Sequence, residues 1–393
     1  MTVKRTPVES LRRMHRGLVL RLLRDRGPRP RADLARELNL SATTMTKVVG
    51  QLLDEGVIGE APAAAEGPRV GRPSTSVSIR PDAAYVLAAQ VGAGAVQLGL
   101  CDLRARPKHL TSFSFDVESE SPEQVIARLG KTAKALVRRA KLEPARLIGA
   151  GIAVPGPVDP AQRRNVLSIN LGWKDVAFSD LLEPWLDAPV IVDHNVRSMA
   201  LAEARYSSRE DADSLMYVYV HTGVGAGVVM GGQPFRPGPY GVTELGHLRV
   251  IEKGRRCACG ATGCLETVAS EPYITEQVRL LGMSAGAAGS PLAALADAAR
   301  AGDEAAAQVL ADLVSHLTTG LASAVNLLNP ALIVLGGMFD DAPDQVFDLI
   351  RTSLYAKAFP VLRDATRVVR SSLGSPTGVV GGAAIALEHL FYQ

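Results

Sequence analysis

The sequence predicts an α/β protein preceded by a small, basic, mostly helical unit, and three observations predict it. From residue 83 onward, apolar strand-like runs alternate with amphipathic helical runs, and glycines gather where the strands end. Residues 1–80 carry 15 Lys/Arg against 8 Asp/Glu, whereas the remainder carries 28 against 32. A chain of 393 residues is also longer than one ordinary core supports, so more than one domain is expected. Composition is that of a soluble globular protein, 47% hydrophobic and 21% charged. The opening "MTVKRTPVES" has no apolar run of the signal-peptide kind, and no later stretch reaches the ~20 apolar residues that span a bilayer. A cytoplasmic protein with no membrane partner is expected. Of the four cysteines, three share one short window, which is not a disulfide framework.

In the basic head, "VESLRRMHRGLVLRLLRDRG" sets Leu11, Met14, Leu18 and Leu22 at helical spacing, and Gly27 with Pro28 ends the run. "RADLARELNL" predicts a short helix with Leu34 and Leu38 on one face. "SATTMTKVVGQLLDEG" opens on Ser41, a suitable N-cap, and closes on Gly56, with Met45, Val48, Val49, Leu52 and Leu53 facing inward. Helix, short helix, turn and helix make a helix-turn-helix, whose last helix enters the major groove by its first turns. Ser41, Thr43, Thr44, Thr46 and Lys47 lie there, short hydroxyls plus a cation suited to phosphate oxygens and base edges. "VIGEAPAAAEGPRVGRPSTSVSIR" then reads as strand, turn and strand, the wing of a winged helix, whose tip offers Arg69 and Arg72 to the minor groove or the backbone. A trihelical bundle of purely structural role shares the helix pattern, and the charge surplus alone does not separate the two. Surplus and wing together favour binding to double-stranded operator DNA.

The body begins with "AAYVLAAQVGAGAVQLGLCDL", two apolar strands joined by a glycine turn; "HLTSFSFDVES" is a candidate third. "SPEQVIARLGKTAKALVRRA" is an amphipathic helix, and "ARLIGAGIAVPGPVD" a buried strand running into a Pro/Gly loop. "PVIVDHNVRSMALAEARY" reads as strand, polar loop and helix. "SLMYVYVHTGVGAGVVMGG" is another glycine-split strand pair, and "NPALIVLGG" another strand ending in glycine. In such proteins the ligand cleft lies at those strand ends.

One stretch, "GHLRVIEKGRRCACGATGCLE", holds the three clustered cysteines and a histidine. His247, Cys257, Cys259 and Cys264 supply Cys3His, a set that closes a tetrahedral structural zinc site and leaves no position for a reacting water. The spacing is not that of a DNA-reading finger, which uses two cysteines and two histidines around a short helix. Three reduced cysteines in a glycine loop, with a redox role as a variant, is the competing reading.

The order "VPGPVD", "NLGW", "VDHNVRSMALAE", "HTGVGAGVVMGG", "TELGHLRV…CACGATGCLE" and "LNPALIVLGG" resembles the ROK family of repressors and sugar kinases across residues 83–393. With the winged helix in front, the chain is similar to ROK regulators of the xylose-repressor and N-acetylglucosamine-repressor kind. The resemblance implies a winged helix-turn-helix over 1–80 and, over 83–393, a two-lobed actin-like (ribonuclease H-like) ATPase-type domain. In that domain a sugar lies between the lobes and a zinc clip spans 247–264. It also implies that Glu244, His247, Glu266, Asn170, His194 and Asn195 meet the sugar, and that the protein is a homodimer or homotetramer.

The departures from the kinase pattern bear on activity. Anchored on Ala202-Glu203, the family's Asn-Asp pair falls on His194 and Asn195, so a neutral amide stands where the catalytic base is expected. Asp193 is displaced by a two-residue rise and is a poor substitute. In "QVGAGAV", Gln90 replaces the acid of the first phosphate loop, although "HTGVGAG" keeps the glycines of the second. The expectation is a sugar-responsive transcriptional regulator, a repressor without enzymatic activity. The alternative is an active ROK-type sugar kinase with a fused DNA-binding head.

Overall fold

The computed structural model describes residues 7–62, 75–161, 163–207, 213–284 and 289–393. The wing tip with Arg69 and Arg72 lies outside the described residues. In the head, α1 (Pro7–Arg26), β1 (Arg29–Pro30), α2 (Arg31–Glu37) and α3 (Ala42–Asp54) precede an antiparallel pair, β2 (Ile58–Pro62) and β3 (Thr75–Ile79), with β1 on the free edge of β3. Ser41 caps α3, its hydroxyl accepting the Thr44 N–H at 3.1 Å, a bond of the kind that stabilises a helix by about 1 kcal/mol. Met45, Val48, Val49 and Leu52 are buried and Leu53 half-buried.

The inward face of α1 differs from the spacing-based expectation. Val19, Leu20 and Leu23 are fully buried, whereas Leu11 and Met14 are 50% and 48% exposed. The reason lies hundreds of residues away, because α1 packs onto residues 391–393. Gly17 faces their backbone so closely that a Cβ there would stand 2.6 Å from the Gln393 carbonyl carbon. Arg16 donates to the Phe391 carbonyl at 2.8 Å and Arg21 to that of Tyr392 at 2.7 Å. Arg24, its side chain 3% exposed, pairs with Glu388 and with Asp25 (2.7 Å), its guanidinium 4.6 Å from the Tyr392 ring centre. Head and body thus share one core, running from Leu20 and Met45 to Ala383 and Leu387.

The first lobe comprises β4 (Tyr85–Gly92), β5 (Ala95–Asp102), β6 (Pro107–Ser114), α4 (Pro122–Arg139) and β7 (Leu147–Val154). A small sheet follows, of β8 (Val158–Asp159), β9 (Arg164–Ser168) and β10 (Trp173–Val176), then α5 (Phe178–Leu186) and β11 (Val190–His194). Its main sheet runs β11-β7-β4-β5-β6. Helix α6 (Asn195–Tyr206) starts directly after β11, so the polar loop expected there does not exist.

The second lobe repeats the plan with β12 (Ser214–Val220), β13 (Val224–Met230), β14 (Gln233–Pro234), α7 (Glu266–Ala269), α8 (Glu271–Leu280), α9 (Pro291–Arg300), α10 (Glu304–Leu328), β15 (Leu332–Gly337), α11 (Asp344–Lys357), α12 (Pro360–Ala365) and β16 (Arg367–Arg370). Its sheet runs β14-β13-β12-β15-β16. In both lobes the first strand is central, with an antiparallel hairpin partner on one side and parallel strands on the other. Helix α13 (Thr377–Leu390) returns to cover β4, β7 and α6. One face of α6, with Val196, Met199 and Ala200, joins the second-lobe core at Tyr217 and Val334; Leu201 and Ala202 join the core around α13. No described helix is long and apolar enough to cross a membrane.

Candidate functional site

The strand ends of the two lobes face a cleft of about 750 Å³, and all six residues expected to meet a ligand line it. On one wall, Asn170 sits in the turn Ile169–Leu171, held down by buried Leu171 and by Trp173, which lies 5.9 Å from Phe115 and 6.0 Å from Phe178. Glu266 opens α7 and its Oε2 accepts the Val224 N–H at 3.1 Å. The two meet over Gly223, where a Cβ would stand 2.5 Å from Glu266 Oε2 and 2.9 Å from Asn170 Nδ2. A larger side chain there would push both of these groups aside.

Glu244 and His247 flank a short turn, Leu245–His247, with His247 Nε2 4.0 Å from Glu244 Oε2. Burial pushes the Glu244 carboxyl above its usual range; the neighbouring His247 opposes this and the Glu266 charge adds to it. The other ring nitrogen, His247 Nδ1, lies 3.7 Å from Cys257 Sγ, and Cys259 and Cys264 Sγ are 3.7 Å apart. All four ligand atoms fall within 4.8 Å of one another. Two thiolates on one tetrahedral zinc stand roughly 3.8 Å apart, so the donor set and its spacing fit a metal such as zinc. The loop is shaped by its backbone: Cys257 N–H donates to Ala261 at 2.8 Å, and Arg249 pairs with Cys264 across an isolated bridge.

The opposite wall comes from the junction of β11 and α6. His194 is 5% exposed, its Nδ1 has no hydrogen-bond partner among the described residues, and burial pushes its pKa down to about 4. Asn195 uses its Oδ1 to accept the Val196 N–H at 2.8 Å, which leaves N–H donors for a ligand. Asp193 is buried and engaged by Arg197, by Arg236 at 2.8 Å and by the His194 N–H at 2.8 Å. It does not line the cleft.

Farther along, the cleft is bounded by Gln90, Tyr219, Asp340, Thr377 and Gly378. The Gln90 carboxamide lies over Gly378 in the first turn of α13, in the space a Cβ would take. Burial pushes Asp340 up to about 6. Tyr219, His221, Glu271 and Asp340 escaped the sequence reading. His221 opens "HTGVGAG" and Asp340 follows the glycines of β15, so position just past a strand end was the available signal. On the head, Thr43, Thr46 and Lys47 are exposed and Thr44 half-buried. Ser41 is occupied as the cap, and the Thr46 hydroxyl donates to the Ala42 carbonyl at 2.8 Å.

Residues 16–58 match the winged helix-turn-helix DNA-binding family, and residues 86–389 match the ROK family. The chain is 29% identical over 395 residues to the DNA-binding transcriptional repressor Mlc of Escherichia coli (strain K12), covering 98% of this chain and 95% of that protein. To the DNA-binding transcriptional dual regulator NagC of the same organism it is 27% identical over 396 residues, covering 98% and 97%. Among solved structures, a ROK family transcriptional regulator described as a homolog of the E. coli MLC protein superposes with a TM-score of 0.80 at 28% identity, over 97% of each chain. A ROK family glucokinase from Streptomyces griseus, at 24% identity, shares the fold of the body with a TM-score of 0.66, over 77% of this chain and 99% of that one. With a family match spanning most of its length and the paired lobes that go with it, the chain belongs to the ROK family.

Proposed function

We propose that this chain is a transcriptional regulator of the repressor type, which binds operator DNA through its head (1–80) and senses a sugar in the cleft of its body (83–393) without phosphorylating it. The observation that carries this reading is the end of β11. Asn195 stands where a base is required, and Asp193, the nearest carboxylate in sequence, is held by Arg197 and Arg236 outside the cleft. An amide can hold a hydroxyl but cannot take its proton. The names of the relatives, a repressor and a dual regulator, support the same conclusion.

In this reading Glu244, His247, Glu266 and Asn170 pair with sugar hydroxyls from one wall, and His194 and Asn195 from the other. Buried hydrogen bonds left unmade by a wrong sugar give the discrimination. His247, Cys257, Cys259 and Cys264 hold a zinc ion, whose closed coordination fastens the loop and leaves His247 Nε2 for a hydroxyl. Exposed Thr43, Thr46 and Lys47, with Thr44, Ser41, Arg69 and Arg72, form the DNA face.

The coupling runs along two helices. Helix α6 starts at Asn195 and ends by Arg205, 3.7 Å from Asp25 of α1, while α13 starts at the cleft and leads into the residues that α1 grips. A sugar that draws the lobes together by a few kcal/mol shifts the head through them. The protein acts in the cytoplasm as a homodimer or homotetramer, since helix-turn-helix proteins read paired half-sites. Anisotropy titrations on DNA enriched by selection test the reading. Sequence-preferring binding that weakens steeply with salt is expected; equal affinity for all sequences contradicts it.

The kinase alternative draws on the glycine hairpin between β12 and β13 and on a cleft that still reaches α13. A coupled assay separates the two, with no sugar-dependent ADP expected.

A further inference from the structure

The head is built into one side of the body. Its core continues through Val86, Ala88 and Cys101 of the first lobe, Leu201 and Ala202 of α6, and Ala383 and Leu387 of α13. Among the described residues, neither core of the second lobe takes a residue from the head. Where the chain leaves the head, Arg146 of the first lobe donates to the Asp82 carbonyl, and the Leu103 N–H donates to that of Pro81 at 3.0 Å. Packed in this way, head and first lobe move as one body. Lobe movement then reaches the head as a change in the position of the second lobe.

The second lobe approaches the head by the tip of one hairpin. Strand β13 starts at Val224, which lines the ligand cleft, and runs roughly 20 Å to Met230. Gly231 and Gly232 then turn the chain with φ of 55° and 68°, the left-handed values that a two-residue hairpin turn requires. From there β14 leads the chain back toward Glu244 of the sugar wall.

Arg205, in the last turn of α6, sits between that tip and the head. Its Nη2 donates to the Gly232 carbonyl, and its Nη1 lies 3.7 Å from Oδ2 of Asp25, in the last turn of α1. The Arg205 side chain is only 15% exposed, so solvent screens this pair less than an open surface pair. Asp25 is held in turn by Arg24, the residue paired with Glu388. A guanidinium is a rigid plane with its donors at fixed angles, so the bond to Gly232 sets where Nη1 points. Movement of the turn therefore pulls on Asp25 or breaks one of the two contacts.

We propose that Arg205 is a positioning residue through which the DNA-binding head reads the place of the second lobe. This rests on the sugar-sensing reading and names the contact that carries its signal. Arg205 lines neither the cleft nor the DNA face, so removing its fork disconnects the two affinities while each stays near its own value.

The test uses the full chain, a selected operator, and whichever of glucose, N-acetylglucosamine and xylose binds by calorimetry. In the unaltered chain that sugar should change operator affinity at least ~10-fold, read by anisotropy. In Arg205→Gln the change should shrink to within ~2-fold, with sugar affinity and sugar-free operator affinity each within ~3-fold of the unaltered chain. Arg205→Lys should fold and be equally uncoupled, because one ammonium is a point donor that cannot span both partners. Asp25→Asn keeps its shape and an oxygen for Arg24; it should uncouple the chain from the head side, and it carries the test if Arg205→Gln does not fold. A full sugar response in the glutamine or the lysine variant overturns the inference. Loss of sugar binding in Arg205→Gln overturns it as well, because the residue then serves the ligand site itself. If the unaltered chain binds none of the three sugars, or binds one with no change at the operator, sugar sensing fails and this inference with it.

Discussion

The two halves of the cleft arrange their polar groups differently. Around the Cys3His cluster, Glu244, His247, Glu266 and Asn170 converge from three segments on one small space, and Glu266 is also fixed by the Val224 N–H. Toward β4 and α13, Gln90 lies over Gly378, and Asp193, just outside the wall, is turned on two arginines. On the proposed reading, the difference teaches that recognition and transformation draw on separable residues of one fold. A binding site needs donors and acceptors held at fixed positions; a phosphoryl-transfer site also needs a free base and a free anion cradle.

The comparison breaks most visibly if the Cys3His cluster is opened. Cys257→Ser should lose bound metal, destabilise the second lobe by several kcal/mol and abolish sugar binding, as read by metal analysis, thermal unfolding and calorimetry. Retention of metal and full sugar affinity would remove the cluster from the account. Next in size is the junction with the head. Arg24→Met leaves Glu388 without its partner and should cost about 4 kcal/mol of stability. In chains that remain folded it should leave sugar affinity intact while blunting the response of DNA affinity to sugar.

A pH series sharpens the comparison from the wall opposite the Cys3His cluster. His194 is neutral in the folded state down to about pH 4, whereas the unfolded histidine takes up a proton near 6.5. Stability should therefore fall by about 3 kcal/mol as the pH drops from 6.5 toward 4, and His194→Asn should lose that part of the slope. Denaturant titrations at several pH values measure both. The smallest effect is expected for Asn195→Asp. A single carboxylate restores the base and nothing else, so sugar-dependent ADP formation should stay at background with Gln90 still over α13. Turnover in that variant would place the whole loss of chemistry at one residue.

What was legible in the sequence was local or periodic. Helix α3 could be read with its cap and buried face because Ser41, Met45 and Leu52 obey rules that span a few residues. Both glycine-split strand pairs and the Cys3His set were legible for the same reason. The inward face of α1 was not, since Leu11 and Met14 match the helical period as well as Leu20 and Leu23 do. What selects among them is contact with residues 391–393, and the one local hint was a glycine, Gly17, in mid-helix. The loop expected before α6 failed because "DHN" is polar in composition, yet Asp193 and Asn195 spend their side chains on the backbone and allow strand to pass directly into helix. Of Asp193's two arginine partners, Arg197 stands at the i+4 position and was open to inspection; Arg236 comes from the far side of the β13 hairpin and was not.

The measurement that bears most directly on the whole account is the affinity of the full chain for its selected operator, at fixed salt, with and without a sugar shown by calorimetry to bind. Sensing through α6 and α13 predicts a change of at least ~10-fold, about 1.4 kcal/mol of coupling, with the same factor in the sugar's affinity when DNA is present. A sugar that saturates the cleft while DNA affinity stays the same would contradict it.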